Sequence, residues 1–146
     1  MAHALRQQFH IAAAPEVVAS ALTQPAHMAQ WWTREAEGEG RHVRLDWSAH
    51  GWRVELDVLH DVDRRRVVWH CTQSNMLDSP AWVGSSMCFE LHPTARGTQV
   101  DFSHVDYPDA PCKGTCEGGW AFFLGRSLKQ YLETGQGMPY PDTFST

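Results

Sequence analysis

No stretch of this chain approaches the roughly 18 consecutive apolar residues of a membrane-spanning helix. The opening Met1-Ala2-His3-Ala4-Leu5-Arg6-Gln7-Gln8 also lacks the apolar segment of a secretory signal. A cytoplasmic location is therefore the default expectation, with no membrane partner. Cysteine is sparse, four in 146 residues, and in a reducing compartment Cys71, Cys88, Cys112 and Cys116 are expected as thiols rather than as a disulfide framework. Basic residues are outnumbered, 12 Lys and Arg against 17 Asp and Glu, for a formal charge of -5. A surface that neutralises phosphates needs clustered positive charge, so no nucleic-acid partner is expected. The one basic run, Arg64-Arg65-Arg66, reads as a solvated turn between strands. Missing too are the Walker loop, the dinucleotide-binding glycine pattern, His-Glu-x-x-His and Gly-x-Ser-x-Gly. No cofactor is expected, and any catalysis would have to be assembled within a pocket.

What the chain has in quantity is aromatic: seven Trp and six Phe. Such side chains dominate the energetics of cores and ligand pockets alike. A chain of 146 residues suits one domain, residues 1–146, that buries roughly two thirds of its unfolded surface without a staple.

The pattern along the chain is mostly strand. Leu5 to Ala12 reads as a first strand, after which Pro15 suits the first position of a short helix with Val17/Ala21 and Val18/Leu22 four apart. Gln24-Pro25 interrupts that helix, because the residue before proline is pushed out of the α region. Pro25 opens a second short helix with Met28, Trp31 and Trp32 along one side, one of the paired rings expected buried and the other half exposed. Glu35 to Gly40 has no periodicity and reads as a loop.

Five strands are then predicted: His42–Ser48, Trp52–Leu59, Arg65–Thr72, Trp82–His92 and Gly97–Val105. Ala49-His50-Gly51, Asp61 to Arg64, and Thr94 to Gly97 supply turns between them. A helix over about Thr115 to Thr134 follows, with Trp120, Phe123, Leu124, Ser127, Leu128, Tyr131 and Leu132 recurring at three and four residues, and Gly135 as its cap. The order predicts an α+β fold: a six-stranded curved antiparallel sheet, two short N-terminal helices and a long C-terminal helix packed across the sheet.

Two stretches point to a family. Ile11 to Thr33, I-A-A-A-P-E-V-V-A-S-A-L-T-Q-P-A-H-M-A-Q-W-W-T, resembles the opening of the START-like (SRPBCC) helix-grip superfamily, in its branch similar to the activator of the heat-shock-protein-90 ATPase. That opening is an apolar strand, a Pro-Glu-Val helix ending Ala-Leu-Thr, a Pro-started second helix and a tryptophan pair. The closing stretch from Gly118 to Gly137, G-G-W-A-F-F-L-G-R-S-L-K-Q-Y-L-E-T-G-Q-G, resembles the branch's C-terminal helix. The two matches bracket the chain. The resemblance implies the helix-grip fold; the branch mixes pocket-binding proteins, dehydratase- or cyclase-like enzymes and co-chaperone domains, so fold is implied more sharply than function. His104 is followed by Val105, Asp106 and Tyr107 rather than by the His-Gly-like strand end common in the branch, and no family role passes to it.

The expected site lies between sheet and helix, because one straight helix does not fill the concavity of a curled sheet. Trp69, Phe89, Phe102 and His104 from the sheet and Trp120, Phe123 and Leu124 from the helix are the candidate ligand-binding residues. Packed core is the alternative for each of them. His104 is also the candidate general acid or base, tuned by Asp106, with a hydrogen-bonded structural histidine as the alternative. Cys112 and Cys116, four apart at the entry to the helix, are candidates for a metal or redox pair, with unligated thiols as the expectation. The leading functional expectation is binding of a small hydrophobic molecule. An enzyme acting on an aromatic or polyketide-like substrate, and a co-chaperone-like interaction module, are the alternatives, and a homodimer is a further expectation.

Overall fold

Every strand predicted by alternation pairs with its neighbour in one antiparallel sheet. The computed structural model describes the backbone of residues 2–108 and 113–140 and the side chains of residues 5–76, 78–105 and 118–140. Strand β1 (Ala2–Ile11) leads into α1 (Pro15–Thr23) and α2 (Pro25–Trp31). Strands β2 (Ala36–Glu39), β3 (His42–Trp47), β4 (Trp52–Asp61), β5 (Arg66–Ser74), β6 (Ser86–Thr94) and β7 (Gly97–Pro108) follow. The order across the sheet is β1-β7-β6-β5-β4-β3-β2.

The sheet thus has seven strands, not six. The additional strand is the stretch predicted as a loop: Ala36 to Glu39 pairs with His42 to Leu45 at the sheet edge. Three of its four residues are exposed. An edge strand with no buried face has no reason to alternate, so its sequence carries no strand signal. A second difference lies before β6, which starts at Ser86 rather than Trp82. Residues 79–85 form a loop with Pro80 near its start and Gly84 in the left-handed region at φ +84°. Val83, within the predicted strand, is 47 % exposed on that loop.

One face of the sheet is apolar. Val54, Leu56, Trp69, Met87, Phe89 and Phe102 are all at or below 2 % exposure, on the strand parity that points toward the helices. Both short helices begin with proline at the first helical position, and Pro25 has a further effect. A helix continued through residue 25 would bond that residue's N–H to the carbonyl of Ala21, but proline has no N–H to give. The freed carbonyls at the end of α1 are taken by tryptophans instead: Trp31 Nε1 donates to Ala21 O at 2.9 Å, and Trp69 Nε1 to Leu22 O at 2.6 Å. Both rings of the Trp31-Trp32 pair are buried, at 0 and 2 % exposure.

The final helix runs in three segments: α3 (Lys113–Phe122), a π-helical stretch (Phe123–Leu128) and α4 (Lys129–Thr134). Gly135 caps it at φ +89°, its N–H donating to Tyr131 O at 2.7 Å. The widened turn lies over β1, where a Cβ on Gly125 would fall 2.9 Å from Phe9 Cε1. Ser127, also in this stretch, donates to Trp31 O at 2.6 Å and accepts from the Met138 N–H at 2.8 Å. That hydroxyl ties the last helix to α2. Among the described residues no helix is long and apolar enough to cross a membrane.

Gly97 at the β6–β7 turn is the tightest backbone approach. Its φ is +146°, and a Cβ there would lie 2.1 Å from Ile11 O and 2.8 Å from Ala12 Cα. Both obstacles are backbone and neither yields as a side-chain tip would. Gly97→Ala is expected to lower stability by about 2–4 kcal/mol, read as a fall in the urea midpoint with an unchanged slope.

Candidate functional site

The predicted ring set converges under the final helix. Trp69 on β5 meets Phe89 on β6 edge-on at 4.5 Å between centroids, Phe89 meets Phe102 on β7 at 5.1 Å, and Phe102 meets Trp120 of α3 at 5.1 Å. Leu124 is buried beside them. Phe123 is partly buried, packs against this core and meets Phe122 edge-on at 5.1 Å. Cys112 lies outside the described residues, as do the side chains of Asp106 and Cys116.

Tryptophans outside the predicted set extend the rings into a continuous column. Trp32 stacks on Trp31 at 5.5 Å and on Trp69 at 5.0 Å, and Trp47 meets Trp32 edge-on at 5.7 Å. At the other end Trp82, from the loop before β6, lies nearly parallel to Trp120 at 5.3 Å and 15°. The rings touch one another, with Trp31, Trp32, Trp69, Phe89, Phe102 and Trp120 at 0–2 % exposure. Sequence reasoning missed Trp82 as a site residue by placing it at the start of a strand. The available signal was Pro80 and Gly84 around it, turn residues that argue against continuous strand there.

His104 sits at the Trp82–Trp120 end of the column, fully buried. Its backbone pairs with Met87 on one side and Leu5 on the other, beside a register shift in β1 between His3 and Leu5. Its imidazole stands edge-on to Trp82 at 5.3 Å and to Trp120 at 5.8 Å. The hydrogen bonds fix its tautomer. Trp120 Nε1 can only donate, so at 3.3 Å it makes His104 Nδ1 the acceptor. In the neutral ring the proton is then on Nε2, which donates to Ser85 Oγ at 2.8 Å, and the Ser85 hydroxyl donates in turn to Trp82 O at 2.6 Å. Burial away from water lowers the His104 pKa to about 4. At neutral pH this is an uncharged ring whose two nitrogens are held by a tryptophan and a serine.

The other titratable features lie apart from the column. The Cys71 thiol is pushed up to about 12 by burial, which leaves it unreactive. Among the described residues, Glu90, His92 and Asp101 bring metal-ligating atoms within 4.8 Å of one another. Glu90 and His92 are exposed, on the opposite parity of β6 from Phe89, and His92 Nε2 already pairs with Asp101 at 2.9 Å.

Comparison with known proteins identifies the family and relatives in fold. The family model described as activator of Hsp90 ATPase homolog 1-like protein matches residues 12–133. The chain is similar to the solution structure of the Aha1 dimer from Colwellia psychrerythraea, with 26 % identity and a TM-score of 0.77 over 92 % of this chain and 99 % of that one. It is similar in fold to a crystal structure from Staphylococcus saprophyticus, at 16 % identity and TM-score 0.68, covering 92 % and 95 % of the two chains. It is also similar in fold to DynU16, a putative protein in the dynemicin biosynthetic locus, at 24 % identity and TM-score 0.64, covering 92 % of this chain and 48 % of that one. Among curated proteins none matches.

The state of His104 is directly measurable. A free histidine titrates near 6.5, so a folded value of about 4 means the unfolded chain binds the proton more readily. The histidine's contribution is complete above about pH 6.5 and falls away as the pH drops toward 4, by about 3 kcal/mol in all. Unfolding free energy of His104→Gln is expected to depend less on pH across that window than the wild type. Imidazole nitrogen resonances are expected to report the Nε2–H form down to pH 5, and a titration midpoint near 6.5 would contradict it.

Proposed function

This chain belongs to the activator of Hsp90 ATPase homolog 1-like family, and from that membership we propose that it binds a small, flat, largely apolar molecule at the Trp82–Trp120 end of the ring column. The observation that carries the reading is the parallel pairing of these two indoles, 5.3 Å apart at 15°. One belongs to the last helix and the other to the loop at residues 79–85. Two offset, parallel ring faces contributed by separate elements present the geometry a third planar ring prefers. The rest of the column is locked between strands and helices. Here one wall is a loop, and Asp78 just before it holds a left-handed φ of +60° that a non-glycine residue adopts only at a cost. Displacing the loop is the least expensive way to admit a ligand.

His104 then acts as a positioning residue, holding Trp120 through Nδ1 and the loop through Ser85. The alternative of acid–base chemistry on an aromatic substrate asks for a lone pair that His104 spends on the Trp120 N–H, and for a charge that burial disfavours. A second reading is favoured by the Colwellia relative, whose structure is of a dimer: this chain forms a homodimer.

Native mass spectrometry before and after denaturation is expected to reveal a co-purifying small molecule or uptake from a library of flat aromatic compounds. An unchanged apo mass with no uptake would rule the binding reading out. With a bound compound, the largest amide and indole shifts are expected at Trp82 and Trp120, and shifts centred elsewhere would displace the site. Sedimentation at tens of micromolar is expected to show a dimer, and a monomer alone would remove the second reading.

A further inference from the structure

Three of the buried tryptophans give their N–H to an acceptor, and Trp82, in the proposed site, is the one whose N–H is both shielded from solvent and without a partner among the described residues. Trp31 Nε1 reaches Ala21 O, Trp69 Nε1 reaches Leu22 O and Trp120 Nε1 reaches His104 Nδ1. Trp82 is 6 % exposed, yet its Nε1–H is buried with no partner among the described residues. More than nine in ten buried polar groups in folded proteins are paired. Leaving a donor unpaired forfeits the hydrogen bonds it had in water, so an orphan of this kind calls for a reason.

The polar groups around Trp82 are already committed. Its own carbonyl accepts from both the backbone N–H of Ser85 at 2.9 Å and the Ser85 hydroxyl at 2.6 Å. The Ser85 oxygen in turn accepts from His104 Nε2, and His104 Nδ1 is occupied by Trp120. None of these can turn to the Trp82 N–H without orphaning another buried group. Among the described residues the Trp82 N–H is the loop's one buried side-chain polar group without a partner.

We infer that the ligand of this site carries a neutral hydrogen-bond acceptor, a ketone, quinone or ether oxygen on a flat ring system, placed against the Trp82 indole N–H. This rests on the binding reading above and adds the chemistry that selects among apolar molecules. An indole N–H only donates, so its partner must accept. A hydrocarbon edge leaves the donor as it was, a ligand donor opposes it, and an ionised carboxylate would surrender its hydration among rings. An oxygen conjugated to a planar ring meets the stacked indoles and the donor together.

The test uses two probes of matched shape, 1-indanone and indane, which differ by one carbonyl, titrated calorimetrically into the wild type and Trp82→Phe. Phenylalanine keeps a ring and removes the N–H. The smaller ring weakens both probes through lost stacking area, and loss of one neutral hydrogen bond is expected to weaken 1-indanone about fivefold to tenfold more than indane, so the excess depends on the carbonyl. Equal effects on both probes, or none on either, would overturn the acceptor inference and leave the binding reading standing. Failure of both probes to bind the wild type at millimolar concentration would instead remove the binding reading. A readout independent of the variant's folding is the wild-type Trp82 indole proton resonance. It is expected to move downfield with 1-indanone and not with indane, and identical responses would sink the inference.

Discussion

Burying an indole removes its N–H from water, and the architecture of this protein is arranged around replacing what that hydrogen loses. The proline at position 25 is the key. By withholding an N–H from Ala21 it leaves the end of α1 with carbonyls that the helix itself cannot use, and Trp31 and Trp69 take two of them. One of these rings is two helical turns further along the chain and the other is on the central strand β5. A local break in a helix is thereby converted into a long-range clamp between the helical layer and the sheet. The same rule, applied at the far end of the column, recruits a histidine in place of a carbonyl and fixes where its proton resides.

Much of this arrangement was legible in the sequence because alternation and helical spacing are read directly from burial. β3, β4 and β7 each have one buried face, and the apolar parities of Leu45, Leu56 and Phe102 were visible as such. Pro15 and Pro25 marked the starts of both short helices, with the four-residue spacing of Val17/Ala21 and Val18/Leu22 supporting the first. What escaped notice had no periodic signature to give. Ala36–Glu39 is an edge strand with mostly exposed residues, and Trp82 is buried from a loop, where neither period applies. The helix turns more widely from Phe123 to Leu128, a local change that apolar spacing does not announce. The Trp31-Trp32 pair could not both be buried by one helix face; the second ring is accommodated because α2 ends at Trp31 and Trp32 leaves the helix.

Composition could not separate a packed aromatic core from an aromatic binding surface, since the two use the same side chains. The structure distinguishes them by how polar atoms are spent. Where Trp31, Trp69 and Trp120 are served by neighbours, the rings are committed to holding layers together. Family membership sets the fold in which this happens, and the particular function must come from the few groups that the fold leaves uncommitted.

Six of the seven tryptophans form the column from Trp47 to Trp82, with neighbouring centroids 5.0–6.2 Å apart. At such spacing their excited states couple, and light absorbed by any one indole migrates along the others before it is emitted. The emission of the interior is therefore governed by the lowest-energy indole of the column, whichever ring absorbed the light.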